Sequence, residues 1–236
     1  QAFTDYSNGK AGEWLVSADR LTDRLDAKYL RPWAASKLSA KWKLAGAQPM
    51  PLHLLVDPVS SPVSLQPDKK YTFINVTYSG RCQRGEVALG REITYSNIND
   101  SNAGDIVISG MGAVHHAICV VPKSMEHLLV SHEYTVLRLK RGVKADPMYL
   151  WSVLRTSAVV AEWLSGASGL ARHRVTWEVL KNQTIPLLPY PKQRKIGDLF
   201  RKALREEDKI ETYKKKAASA LSVLDLESEE ARDKLT

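Results

Sequence analysis

The sequence predicts an α+β chain: a mixed β-sheet body with flanking helices, followed by a long C-terminal helix of coiled-coil character. Three observations point there. Between Tyr71 and Leu139, short β-branched and aromatic runs alternate with Gly, Asn and Pro, the pattern of strands joined by long loops. Asp146-Pro147 then opens a helical stretch, with Asp as N-cap and Pro at the first helical position. Finally, Ile196, Leu199, Phe200, Ala203, Ile210, Tyr213, Ala217, Leu221 and Leu224 recur mostly at three- and four-residue steps in a segment otherwise rich in Lys, Arg and Glu. A single apolar stripe on a charged rod calls for a partner.

Taken in order, residues 1–48 read as an irregular lead and one helix from Asp26 to Leu44, interrupted by Pro32 and ended by Gly46. Pro49, Pro51, Pro58, Pro62 and Pro67 make the next passage extended and turn-rich. Strands are expected at Tyr71–Tyr78, Asp105–Ser109, Ala117–Val121 and Tyr134–Leu139. The helix from Asp146 should run to Leu164 and stop before Gly166, and Thr176–Asn182 should form a shorter one. A Pro-bounded apolar segment, Thr184–Pro189, separates this body from the arm, for which Gln193–Leu224 implies a rod of about 48 Å.

Composition excludes some classes and favours others. With 236 residues, 44% hydrophobic and 25% charged, the chain has an ordinary globular make-up and enough length for one good core. No apolar run approaches the ~20 residues of a membrane span. The chain opens at Gln1 with no initiator Met and no basic-then-apolar leader, which suggests a piece of a longer chain. Cys82 and Cys119 have no close-spaced partner, so neither a zinc site nor a disulfide framework is signalled, and reduced thiols in a cytoplasmic protein are expected. The net charge of +8 divides into +5 on Lys192–Lys216, −3 on Asp225–Thr236 and +6 on the rest. A basic body and arm suit phosphate binding, although a generally basic surface explains the same figure.

Three loops are candidate sites. Ser79–Gly85 presents Arg81, Gln83 and Arg84, side chains able to meet guanine edges, adenine edges or phosphates, or simply to decorate a solvated turn. Ser109–His116 ends in the tandem His115 and His116, which suit DNA contact better than metal, given no Cys or carboxylate at ligand spacing. Gly166–Arg174 carries Arg172, His173 and Arg174 beside glycines that let a backbone approach phosphate; the arginines could equally cap a helix or pair with an acid. Enzyme signatures are missing: no phosphate-binding Gly-x-x-x-x-Gly-Lys-Ser/Thr loop, no His-Glu-x-x-His and no Gly-x-Ser-x-Gly. Glu207-Asp208-Lys209, which with Pro67-Asp68 imitates a nuclease motif, lies on the arm and reads as surface charge.

Six pieces in register resemble one half of the specificity subunit of type I restriction-modification systems. They are Gly104–Ser109, Tyr134–Arg138, Asp146–Leu150, Gly169–Arg174, Ile185–Pro189 and Gln193–Ile196, preceded by an Arg24-to-Tyr29 entry. The resemblance implies a target recognition domain over residues 1–188, a conserved helical arm over 189–226 and an acidic tail over 227–236. It further implies a non-catalytic module without cofactor or metal that binds double-stranded DNA sequence-specifically, docks a methyltransferase subunit and a restriction subunit, and pairs with a second copy through the stripe on the C-terminal helix. Arg81, Gln83, Arg84, His115, His116, Arg172, His173 and Arg174 would then face DNA. The alternatives are the recognition domain of a single-chain restriction-methylation enzyme, whose catalytic domains would precede Gln1, and a coiled-coil adaptor without nucleic acid.

Overall fold

The computed structural model describes residues 42–94, 97–157, 159–160, 163 and 174–233, with side chains on the final helix described through 219. Most of the helix expected over Asp26–Leu44 lies outside them. Its last residues, 42–44, are helical, and Gly46 turns the chain with φ +75.

Ten strands follow: β1 Gln48–Pro51, β2 Val56–Pro58, β3 Lys70–Val76, β4 Cys82–Leu89, β5 Asn99–Asp100, β6 Ile106–Ser109, β7 Ile118–Val120, β8 Leu129–Val130, β9 Tyr134–Leu139 and β10 Thr184–Leu187. They make a two-stranded ribbon, β1-β10, and two four-stranded sheets, β2-β9-β6-β7 and β4-β3-β8-β5. The parallel pairing of β3 with β8 makes the last sheet mixed. Among the described residues, helices α1 Pro147–Leu154, α2 Trp177–Leu180 and α3 Tyr190–Asp233 accompany them, and residues 157, 159–160 and 163 are also helical.

The continuous apolar run of β6 is explained by burial on both faces. Ile106 and Ile108 join the core beneath α1, while the intervening Val107 packs toward the second sheet with Ile74, Val76 and Val136. β9 alternates likewise, Leu137 on the helix side and Val136 on the other. α1 is apolar all round because it is covered all round: Met148, Tyr149, Leu150, Trp151, Val153 and Leu154 are buried. Asp146 caps it as expected, its Oδ1 accepting from the backbone N–H groups of Met148 and Tyr149 at 2.9 and 3.1 Å. The prolines of the β1-β10 ribbon, Pro49 opposite Pro186, are tolerated because each strand has a neighbour on one side alone.

Three expectations need correction. Residues 82–85 stand in β4 rather than in a loop, so the loop expected over 79–85 is a tight turn from Thr77 to Arg81. The strand was masked by its polar composition, since β4 is an edge strand with one face in solvent. α1 closes at Leu154, with Arg155 as C-cap, and helical backbone resumes at 157, 159–160 and 163, so the helix expected to run to Leu164 is interrupted after Leu154. Cys82 and Cys119 are not free thiols but a disulfide joining β4 to β7. Their separation of 37 residues carried no signal, because sheet packing and not sequence proximity brings the two sulfurs together.

Candidate nucleic-acid interface

The turn Thr77–Arg81 is closed by Thr77 N–H to the Arg81 carbonyl at 3.0 Å and by the Thr77 and Ser79 hydroxyls at 2.7 Å. Gly80 sits at φ +84, a backbone conformation that favours glycine, and a Cβ there would push the Arg155 guanidinium, 2.4 Å away, out of its place. Facing it, the loop from Ser109 to Ala117 folds through a 3-10 turn at Ala113–His115 and a left-handed His116, φ 65. Gly110 is held from both sides, its N–H on the Glu133 carbonyl at 2.8 Å and its carbonyl receiving the Val175 N–H at 2.8 Å.

Between turn and loop lies an open cleft of about 670 Å3, lined by Asn75, Thr77, Tyr78, Ser109, His115 and Tyr134 among others. Tyr78, 66% exposed, meets His115 edge-on with ring centroids 5.5 Å apart, an aromatic pair presented to solvent. Gln83 stands directly opposite Asn75 in the β3-β4 ladder, so both side chains leave on the same sheet face. Burial raises the Tyr134 phenol above its ordinary value, the backbone hydrogen bond at Val76 partly opposing it. That hydroxyl therefore stays protonated, as a donor, through the neutral range. The cleft thus offers amide, hydroxyl, imidazole and aromatic surface, the groups that read base edges and stack on them.

The predicted residues divide. His115 lines the cleft, and Gln83 stands next to it on the sheet face that carries the lining residue Asn75. His116 lies below, half-buried, its Nδ1 buried without a hydrogen-bond partner and its carbonyl accepting from Arg155. Arg174, beside Gly110, is half-exposed and paired with Glu133. The hydrogen bond from Arg174 holds the Glu133 carboxyl below its usual value against the smaller effect of desolvation. Arg84 projects to the other face of β4 and donates to the Ser124 carbonyl at 3.2 Å. Arg172 and His173 lie outside the described residues.

Arg81 turns away from the cleft to the arm. Its guanidinium donates to the Leu204 carbonyl at 3.2 Å from both terminal nitrogens, to Glu207 at 2.9 Å, and to Asp208. A second tie lies nearer the start of α3. Buried Asp146 accepts from Arg201 at 2.6 Å while its N–H donates to buried Gln193 at 3.0 Å, and Gln193 also donates to the Leu188 carbonyl at 2.6 Å. Gly197 makes this approach possible, since a Cβ there would lie 2.4 Å from Asp146 Oδ1.

The arm consequently has two apolar faces. Ile196 and Leu204 pack on the body's core and Phe200 stacks edge-on against Trp151 at 5.3 Å. Leu199, Ala203, Ile210, Tyr213 and Ala217, exposed in the structure, project from a separate strip spanning about 80° of the helix surface. The expected stripe is therefore two stripes: its start belongs to the body, and the remainder is bare. Leu221 lies beyond the described side chains. α3 itself continues to Asp233, past the arm boundary expected at 226.

Sequence reasoning missed Asn75, Tyr134, Trp151 and Arg155 as parts of this region. For the last two a signal existed: a Trp and an Arg four apart share one helix face, and here the guanidinium lies 4.4 Å from the indole centroid. Among the described residues no His, Cys, Asp and Glu cluster could hold a metal ion, and no helix is long and apolar enough to cross a membrane.

No protein-family model and no curated protein matches the chain. Solved structures do. The chain is similar to the HsdS subunit from Thermoanaerobacter tengcongensis, with a TM-score of 0.57 and 18% identity over 70% of this chain and 44% of that one. It is also similar to a chain from a structure of the type I R-M system, described for its complex assembly and conformational transition, with a TM-score of 0.53, 19% identity and the same coverage. The fold is therefore HsdS-like, α+β with a long C-terminal helix, and the chain spans less than half the length of the chains it matches.

Proposed function

We propose that this chain reads a duplex DNA sequence as one half of a type I specificity subunit, and that methyl transfer and cleavage belong to methyltransferase and restriction subunits that dock with it. The observation that carries the proposal is the conjunction of an HsdS-like fold with a solvent-facing cleft of hydrogen-bonding and aromatic side chains. Gln83, His115, Tyr78 and Asn75 are assigned to base edges. Arg174 and the sequence-adjacent Arg172 and His173 are assigned to the phosphate backbone, with His116 supporting the loop that bears His115, whereas Arg84, on the other face of β4, is assigned to holding that strand to Ser124. Arg81, spent on two carboxylates of α3, is assigned to holding the arm and not to DNA.

The bare strip on α3 is assigned to a second copy of the chain. Its exposed apolar residues, Leu199, Ala203, Ile210, Tyr213 and Ala217, lie outside the helix's contacts with the body, on one side of the rod. Antiparallel pairing brings the acidic residues after Leu224 alongside the basic start of the other arm, whereas parallel pairing stacks like charges.

The test is selection from a randomised duplex pool by the purified chain, with affinity followed against salt. Enrichment of one sequence is expected, with a log-log salt slope of roughly −0.9 per phosphate contacted. Binding that neither depends on salt nor enriches a sequence would remove DNA as the ligand.

A further inference from the structure

One side chain, Arg155, bridges the two loops of the cleft. Arg155, the C-cap of α1, sends Nε to the His116 carbonyl at 3.0 Å and Nη2 to the Tyr78 carbonyl at 3.0 Å. Those carbonyls belong to the segments that carry the exposed Tyr78–His115 ring pair. The arginine therefore sets the spacing of that pair from beneath, at the backbone.

Two other links cross the same gap closer to the strands. The indole N–H of Trp151 lies 3.1 Å from the Gly80 carbonyl and 2.8 Å from that of Ile118, and the Cys82–Cys119 bond joins strands β4 and β7 themselves. The disulfide fixes the roots, Trp151 the middle and Arg155 the tips. Trp151 also packs beneath Arg155 on one side and against Phe200 of the arm on the other, so the brace is anchored where the arm begins. The fork of Arg155 can reach two carbonyls at once because its donors are fixed in a plane; the single ammonium of a lysine cannot reproduce that span.

We infer that Arg155 is a positioning residue for sequence recognition, locking the Thr77–Arg81 turn and the Ser109–Ala117 loop into one rigid reading surface. The inference rests on the DNA-reading function proposed above. Base-edge hydrogen bonds lose strength steeply with sub-ångström misplacement, whereas phosphate contacts tolerate it. Loosening the brace should therefore erode discrimination and spare general affinity.

The experiment compares wild type with Arg155→Lys, which keeps the charge but not the fork, in the full chain. Each is measured against the duplex selected by wild type and against random duplex, over a salt series. Arg155→Lys should bind random duplex with unchanged affinity and slope while the ratio of specific to random binding falls by about tenfold or more. A retained ratio overturns the inference, and so does an equal loss on every duplex. Should the lysine variant not fold, Arg155→Gln, which keeps a planar amide donor but cannot span both carbonyls, decides by the same ratio. A wild type that selects no sequence at all overturns the DNA reading, and with it this inference; a selecting wild type beside an equally selective variant overturns this inference alone.

Discussion

Asp146 is the residue at which body and arm are most closely joined, and replacing it separates two contributions. Asp146→Ala removes the side-chain cap of α1, which costs about 1–2 kcal/mol for a cap that accepts two backbone N–H groups. It also removes the partner of Arg201. Asp146 is buried, but the Arg201 side chain keeps 34% of its exposure and can turn to water, so the ion pair contributes nearer to a surface pair, about 1 kcal/mol. The alanine variant should therefore lose about 2–3 kcal/mol in urea denaturation, or about 5–10 °C in melting temperature for a chain of this size. Asp146→Asn is the control. It caps nearly as well as Asp and forfeits the charge, so it should lose about 1 kcal/mol. Equal losses for the two variants, or a loss below about 0.5 kcal/mol for alanine, would refute the assignment of Asp146 as both cap and anchor.

Three further outcomes are expected. Replacing Cys82 and Cys119 together by Ser, or reducing the native protein, should cost about 4 kcal/mol in urea denaturation, the loop-closure value for a 37-residue separation; unchanged stability under reductant would show that the bond does not form. Glu133→Gln should release Arg174 and strengthen duplex binding a few-fold with a steeper salt slope, read by fluorescence anisotropy. Because the Glu133 carboxyl is held below its ordinary value of 4.5, its pairing stabilises the fold above that pH and fades as the pH falls through the lowered value. The stability gap between wild type and Glu133→Gln should accordingly close as the pH falls through that lowered value, and a gap that widens would contradict the pairing. Leu199→Asp with Ile210→Asp, at positions 63% and 54% exposed, should leave the monomer folded and abolish self-association in sedimentation; a wild type that sediments as a monomer at tens of micromolar defeats the second-copy assignment.

Much of the scaffold was legible because local chemistry and tertiary burial agree there. The run Ile106-Val107-Ile108 could be a strand in any context, Tyr134–Leu139 alternates as a sheet demands, and Asp146-Pro147 carries its own cap. What escaped was set by contacts between distant segments. Nothing local marks Cys82 for Cys119, and Arg81 looks like a loop arginine until α3 brings Glu207 and Asp208 to it. β4 was hidden by Gln83, Arg84 and Glu86, whose polarity reflects an edge facing water. The apolar spacing of the arm was readable, but its division into a body-facing and a bare strip depends on which turn of α3 meets Trp151.

The farthest tie of the arm to the body shown among its described residues is at Asp208, while the helix runs on to Asp233. About 38 Å of rod therefore extends past the final anchor. Over that lever a rotation of about 5° at the anchor displaces the tip by about 3 Å, close to the ~3.4 Å rise of one base pair. On the proposed function, in which two readers are held a set number of base pairs apart, angular slack at Arg81 and Asp146 would become a miscount of the gap. Mutations in these ties would then change which spacing is accepted while leaving each half-site sequence as it was.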